Sequence, residues 1–310
     1  MSDVVERAEA VLRPVCGERV RVGFPIAPLT TLRVGGPAAL YLEPESLVDL
    51  RAASQAVRET GIPVAVLGKG SNLLVADEGF SGLVVRLGRG FRWTARDGER
   101  LSAGGAMPLP ALAGVALSHG LSGLEFGVSI PASFGGAVRM NAGAHGVELS
   151  EVLETIRVFD LQSGQQASIP AGSAGFRYRS SELPPSGVVT EASVRLEPAD
   201  LEAIRSRMDE VREWRRLHQP LAEPNCGSVF KNPPGDHAAR MIDEAGGKGL
   251  RVGGASISTK HANFIVTAEG ARAADVVELI RRVQNLVSDR YGVLLEPEVH
   301  LLGASTHVPR

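Results

Sequence analysis

Cysteine is nearly absent from this chain of 310 residues. Cys16 and Cys226 are its only two, far apart and without the spacing of a metal-binding pair, so neither a disulfide framework nor a zinc site is expected. Aromatic residues are sparse at 5%. Charge of either sign is not in excess: 33 Lys and Arg stand against 35 Asp and Glu, with a pI near 6.4. Nothing electrostatic therefore recommends nucleic acid or an anionic membrane as a partner. No apolar run approaches the roughly 20 residues that span a bilayer. The opening MSDVVERAEA has neither a basic stretch nor an apolar core behind it, so a cytoplasmic location is expected. Two phosphate-binding signatures are also missing, the Walker loop and GxGxxG. What remains is an ordinary globular composition, 44% hydrophobic and 22% charged, in a chain long enough for two or three domains.

Glycine is plentiful, at 36 residues, and with 19 prolines it falls in short clusters between apolar runs. Such clusters mark turns and places where backbone approaches a ligand closely. There is no internal repeat. AALYLEP (38–44) reads as a strand and LVDLRAASQAVRET (47–60) as a helix, with Leu47, Leu50, Ala53 and Val57 on one face and Gly61 as its stop. A strand at IPVAVLG (62–68), the loop GKGSN (68–72) and a strand around LVVRL (83–87) follow. From about residue 91 to VVTEASVRLEP (188–198), short strands and Gly-rich turns dominate, with one helix near 108–120. Composition changes at residue 199. The segment 199–219 predicts an amphipathic helix burying Leu201, Ile204, Met208, Val211 and Leu217 or His218, its arginines forming a solvated face rather than an RNA-binding patch. Beyond it come a helix at 237–246, a strand at NFIVT (263–267), and a helix at 273–292 that buries Val276, Ile280, Val283 and Val287 and stops at Gly292. The strand-like VLLEPEVHLL (293–302) closes the pattern.

Two glycine-rich loops carry the first chemical signal. GKGSN directly follows a buried strand, where glycines let amides approach a pyrophosphate and Ser71 and Asn72 can donate to phosphate oxygens. A tight turn between strands is the bland alternative. IPASFGGAVRMNAGAHG (130–146) supplies Ser133, Asn141 and several free amides, with Ser129 just before it, in a run of small residues suited to wrapping a large flat ligand. Its alternative is a Gly/Ala-packed core loop.

Three further segments hold candidate catalytic groups. If GFRYRSSEL (175–183) is extended, Arg177 and Arg179 share one face and Tyr178 the other, and either guanidinium could meet a carboxylate. In NCGSVFKNP (225–233), alternation sets Ser228, Phe230 and Asn232 on one side and Val229 and Lys231 on the other. A positioned serine hydroxyl can protonate a strongly basic carbanion or enolate. Cys226 is a rival nucleophile or proton donor, disfavoured because no histidine partner is evident. In LLEPEVHLL (294–302), Glu296, Glu298 and His300 share a face, and two neighbouring carboxylates in a dry pocket would raise one another's pKa.

The pair GKGSNLL and IPASFGGAVRMNAGAHG resembles the FAD-binding domain of the vanillyl-alcohol-oxidase type of flavoproteins. The three other segments are similar to the UDP-N-acetylenolpyruvoylglucosamine reductase family, so that five ordered motifs between about Thr30 and Gly303 agree. The resemblance implies an α+β fold with a two-lobed FAD-binding domain over 1–197 (lobes about 1–87 and 88–197) and a smaller α/β substrate-binding domain over 198–310, with the option that the C-terminal end returns to the first lobe. It implies noncovalent FAD, since GKGSN offers no His or Cys for a link, held by Gly68, Lys69, Gly70, Ser71, Asn72 and Leu73 and by Ser129, Ile130, Pro131, Ser133, Gly135, Gly136, Asn141 and Gly143. Arg179, Ser228 and Glu298 are selected as catalytic, and Lys231 and Asn232 as substrate-binding.

The implied reaction takes hydride from NADPH through FAD to the enolpyruvyl group of a UDP-sugar, Arg179 and Glu298 stabilising the enol-type charge and Ser228 donating the proton. The partners are then small molecules alone, with no nucleic acid, membrane or metal, and a monomer is the favoured state. The family pattern is broken at Ser129 and Ala132, where glycine is common, at His145, where Tyr is common, and at His300, where Arg is often found. The 45 residues between Arg179 and Asn225 match the shorter subclass, type II. Two other classes fit parts of the pattern: a different FAD-dependent oxidase or oxidoreductase on the same domain, and a non-catalytic nucleotide-binding protein.

Overall fold

Ser46 opens the helix Leu47–Thr60 with a reciprocal cap: in extended conformation at φ −151°, its hydroxyl accepts from the Asp49 amide, and the Asp49 carboxylate accepts from the Ser46 amide. Gly61 ends the helix at φ +70°. Asp49 is buried, and its charge is met by Arg19 at 2.7 Å and by the Glu45 amide at 2.8 Å. Leu50, Ala53 and Val57 pack with Val5, Ala8 and Leu12 of the helix Asp3–Cys16 and with Leu40, Leu42, Leu83 and Val85 of a four-stranded sheet. That sheet runs in the order Val20–Pro25, Pro37–Leu42, Phe80–Val85, Val64–Val66, and its last pair is parallel.

In the computed structural model, which describes residues 3–303, the chain forms two units. The first holds the residues up to Val22, Ala39–Lys69 and Gly82–Arg215; the second holds Gly23–Ala38, Gly70–Ser81 and the chain from Arg216 onward. The fold is α+β, as the motifs implied. The expected boundary at 197/198 differs from this division in two ways. Most of the helix Leu201–His218 belongs with the first unit, because Ile204 and Met208 pack into its core, and two early segments belong with the second.

The rest of the first unit is an antiparallel five-stranded sheet in the order Gln166–Pro170, Leu153–Asp160, Gly187–Arg195, Arg100–Gly104, Thr94–Asp97. Gly187–Arg195 is buried over most of its length, with Thr190 and Ser193 among its buried residues. The helices Leu109–Ser118 and Phe134–Arg139 pack into this core. The helix Leu201–His218 buries only Ile204 and Met208, while Leu201 and Leu217 are 46% and 53% exposed. Its apolar stripe is therefore longer than its fully buried part, although further along Trp214 meets the His145 ring edge-on at 5.0 Å. Its arginines pair with nearby acids, Arg207 with Glu125 at 2.8 Å and Arg212 with Asp209 at 2.6 Å, as a solvated face requires.

The second unit centres on an antiparallel sheet in the order Asn225–Ser228, Phe264–Thr267, Ala255–Ile257, Arg251–Val252. The helix Ala273–Tyr291 lays Val276, Ile280, Val283 and Val287 against Phe230, Met241 and Ile265, and Gly292 ends it at φ +66°. A separate parallel pair joins Leu73–Val75 to His300–Leu302. The strand expected over 293–302 is regular only in these last residues. Before His300 the stretch is irregular, tied down by an isolated bridge between Phe230 and Pro297, because a proline interrupts any longer ladder.

Asp77 performs a long-range task in this unit. Its carboxylate accepts from the amides of Ala273 and Ala274 at 2.8 and 3.0 Å, acting as the N-cap that Arg272 does not supply. Asp77→Ala is expected to lower stability by about 1–2 kcal/mol, read as a shifted midpoint in urea denaturation with unchanged slope.

Candidate active site

In the first unit, backbone meets backbone around a cavity. Gly135 lies so close to the strand Gly187–Arg195 that a Cβ there would sit 2.8 Å from the Val189 carbonyl oxygen, and one on Gly68 would sit 2.6 Å from Ser133 Oγ. The Ser133 hydroxyl is engaged in capping the helix Phe134–Arg139, accepting from the Gly136 amide at 3.3 Å. The cavity left between these segments measures about 280 Å³ and is walled by Gly68, Lys69, Gly88, Gly135, Arg139 and Val189, among others. Arg86, Arg89 and Arg92 also line it, with Glu43 the acidic residue on its wall. Arg139 was missed in the sequence reading. Its guanidinium donates to the carbonyls of Pro184 and Gly187 at 2.8 and 2.6 Å, and among the described residues no carboxylate pairs with it. Burial pushes its pKa down, so a bound anion would be favoured there. The available signal was a lone cation inside the small, apolar run GGAVRM.

Other members of the second loop build the loop itself. Ser129 Oγ donates to the Phe126 carbonyl at 2.9 Å. Asn141, 1% exposed and at φ +42°, donates to Glu148 and to the Arg177 carbonyl and accepts from the Ser150 amide. Their side chains are thus spent on internal bonds rather than offered to a ligand. Ile130 is half-buried and Pro131 exposed. Neither Ser129 nor Ala132 is in the left-handed region, so the departures from glycine cost no backbone strain.

The segment holding Arg177 and Arg179 is a tight turn rather than an extended run. Arg177 and Ser180 exchange amide-to-carbonyl bonds at 3.1 and 3.0 Å, and Arg179 occupies the left-handed region at φ +57°. Alternation therefore does not apply, and the two arginines separate. Arg177 is exposed and paired with Glu182 at 3.0 Å. Arg179 turns inward, its side chain 18% exposed, stacks over the Tyr178 ring at 4.7 Å and donates to the Gly143 carbonyl at 2.8 Å. A bulky residue held in this conformation is a local cost of about 1 kcal/mol or more that its surroundings must offset.

In the second unit Ser228 and Glu298 lie on neighbouring segments. The Glu298 amide donates to the Val229 carbonyl at 2.7 Å, next to Ser228. Ser228 is half-buried, and among the described residues its hydroxyl has no hydrogen-bond partner. The expected alternation over 228–232 fails. Gly227 at φ +75° and a register shift end the strand at Ser228, so that Val229 and Phe230 are both buried. Lys231 pairs with Glu296 at 2.6 Å, and Asn232 Oδ1 accepts from the Ala238 amide at 3.1 Å. Cys226 is buried, and desolvation, with a smaller contribution from the Glu298 carboxylate, pushes its thiol up to about 12.

The first loop also continues into this unit. Gly70, at φ +64°, is pressed to where a Cβ would lie 2.4 Å from the Leu29 carbonyl. Ser71 is half-buried and makes no hydrogen bond among the described residues. Leu73 is the residue opposite His300 in the parallel pair.

Glycine-lined backbone and a cationic cavity are what a nucleotide cofactor requires, and residues 38–169 match the family model described as an FAD binding domain. Residues 219–302 match the model described as the UDP-N-acetylenolpyruvoylglucosamine reductase C-terminal domain. The chain belongs to the UDP-N-acetylenolpyruvoylglucosamine reductase family. It is 44% identical over 296 residues to the reductase of Anaeromyxobacter dehalogenans, covering 95% of this chain and 89% of that one. To the reductase 2 of Symbiobacterium thermophilum it is 43% identical over 310 residues, all of both chains. The crystal structure of UDP-N-acetylenolpyruvylglucosamine reductase from Thermus caldophilus superposes with a TM-score of 0.81 at 43% identity, covering 92% of this chain and 100% of that one.

The raised thiol pKa values carry an expected outcome. Cys226, at about 12, and Cys16, pushed up to about 11 mainly by burial, stay protonated below those values. At pH 8 the folded protein is expected to resist iodoacetamide over hours, whereas both thiols react promptly in guanidinium. Fast modification of Cys226 in the folded chain would restore it as a candidate nucleophile.

Proposed function

We propose that the chain reduces UDP-N-acetylglucosamine enolpyruvate to UDP-N-acetylmuramate with NADPH, a step of peptidoglycan precursor synthesis. The observation that carries this reading is the free Ser228 hydroxyl beside the Glu298 segment in a chain of this family. Bound FAD would supply the hydride chemistry between NADPH and the methylene carbon of the enolpyruvyl group. The residues present fit that cofactor. Close-packed glycines admit a flat ligand, and Lys69 and Arg139 supply positive charge where a diphosphate needs it. Gly68, Ser133, Gly135 and Gly136 also line that cavity, while Gly70, Ser71 and Leu73 continue the first loop.

The residues of the chain then manage charge and protons. Arg179 offsets the negative charge that spreads into the substrate carboxylate, its guanidinium already oriented by the Tyr178 ring and the Gly143 carbonyl. A protonated Glu298 donates a hydrogen bond to the same enol-type centre. Ser228 hands its proton to the adjacent carbon, completing the lactyl ether. Lys231, with Glu296 holding its ammonium, is suited to an anionic part of the sugar nucleotide. Asn232 has its Oδ1 engaged on Ala238 and contributes through its amide nitrogen. Among the described residues no helix is long and apolar enough to cross a membrane, and a cytoplasmic location is part of the proposal.

The purified chain is expected to be yellow, to release its flavin on denaturation, and to turn over NADPH beyond one equivalent of flavin only when the enolpyruvyl sugar nucleotide is present. A colourless protein that takes up no FAD, or one that passes electrons to oxygen equally fast without that substrate, would overturn the reading. Ser228→Ala is expected to leave flavin reduction by NADPH within about threefold while slowing flavin reoxidation by substrate about 10²–10⁴-fold. Equal losses in both half-reactions would remove Ser228 as proton donor.

A further inference from the structure

The side chain of Asn72, expected to donate to a phosphate, is engaged elsewhere. Its Nδ2 donates to the Glu298 carbonyl oxygen at 3.0 Å, and its own backbone carbonyl accepts from the His300 amide at 3.1 Å. The amide orientation is fixed by this contact, because the reverse assignment would set two acceptors face to face. The Glu298 peptide is consequently gripped from two sides, its N–H by Val229 next to Ser228 and its C=O by Asn72. The stretch before His300 has no regular ladder; it is tied by the Phe230–Pro297 bridge, by the Lys231 amide on the Glu296 carbonyl, by the Val299 amide on the Val229 carbonyl and by the Gln284 side chain on the Leu295 carbonyl.

A second observation singles out the same side chain. Asn72 Oδ1 is buried and has no hydrogen-bond partner among the described residues, an arrangement that costs stability. A residue with a single side-chain bond to make, and a buried acceptor left over, is a poor choice for stability alone. Serine or threonine would bury no second polar atom, but their hydroxyls are shorter in reach than the Asn carboxamide.

We infer that Asn72 is a positioning residue for the reduction: its carboxamide fixes the Glu298 peptide beside Ser228 and so ties the catalytic carboxylate to the glycine-rich loop. This rests on the proposed role of Glu298. The loop and the carboxylate then move as one piece, and ordering of the loop is transmitted to Glu298 through one hydrogen bond and the strand pair that follows it.

Two variants test this, Asn72→Ala, which removes the donor, and Asn72→Asp, which keeps the shape and sets a carboxylate against a carbonyl. In the FAD-free chain, amide exchange at Glu298 and His300 is expected to accelerate at least about fivefold in both, with exchange in the helix Leu47–Thr60 unchanged. In the flavin-loaded protein, FAD affinity and flavin reduction by NADPH are expected to stay within about threefold, while reoxidation by the enolpyruvyl substrate falls about 10- to 100-fold through kcat rather than KM. Unchanged exchange at Glu298 and His300 would overturn the inference, as would a loss of FAD affinity in step with turnover, which would make Asn72 a cofactor contact. If the wild-type chain fails to reduce the enolpyruvyl substrate, the functional reading falls, whereas the exchange measurement still decides whether Asn72 holds the segment.

Discussion

The second unit depends on a three-residue parallel pairing, Leu73–Val75 against His300–Leu302. Parallel strands cannot be joined by a tight turn, and here the connection runs from Val75 to His300. Through this pair the residues just after the glycine-rich loop become neighbours of those just after Glu298. Asp77, four residues along from Leu73, then caps the helix Ala273–Tyr291, and Thr267 donates to the Leu32 carbonyl at 2.7 Å. The early segments thus act as structural parts of a unit otherwise built from the last third of the chain.

The first unit is organised by proximity of backbones. Side chains are excluded where Gly105 and Gly135 approach the Val189 carbonyl and where Gly68 approaches Ser133, which is why glycine stands at these positions. Asn141 illustrates the division of labour: three internal bonds hold the loop shape, and recognition is left to amides and to cations around the cavity. An arginine solvated only by carbonyls, as Arg139 is, keeps its charge available to a ligand in a way that an ion-paired one would not.

Local signals were legible wherever the cause was local. The helix Leu47–Thr60 begins at its cap and stops at its glycine as its sequence indicates, because both signals act within one turn. The loop motifs and the residues Arg179, Ser228 and Glu298 stood out by their resemblance to a family. Periodicity failed where a left-handed residue interrupts it, at Gly227 and at Arg179, since alternation presumes an unbroken extended backbone. It also failed on the helix Leu201–His218, where the apolar stripe says what could be buried but not how far the neighbouring core extends. Domain limits were out of reach for the same reason: the membership of 23–38 and 70–81 is decided by contacts with residues that follow much later.

That membership sets an order of events for the growing polypeptide. When the strand Leu73–Val75 leaves the ribosome, its parallel partner lies more than two hundred residues away and is still unsynthesised, so the edge it presents stays unpaired for almost the whole of translation. Long-range parallel pairing is slow to form and leaves sticky edges open in the meantime. The contact beside Glu298 has to wait until the residues after it have emerged.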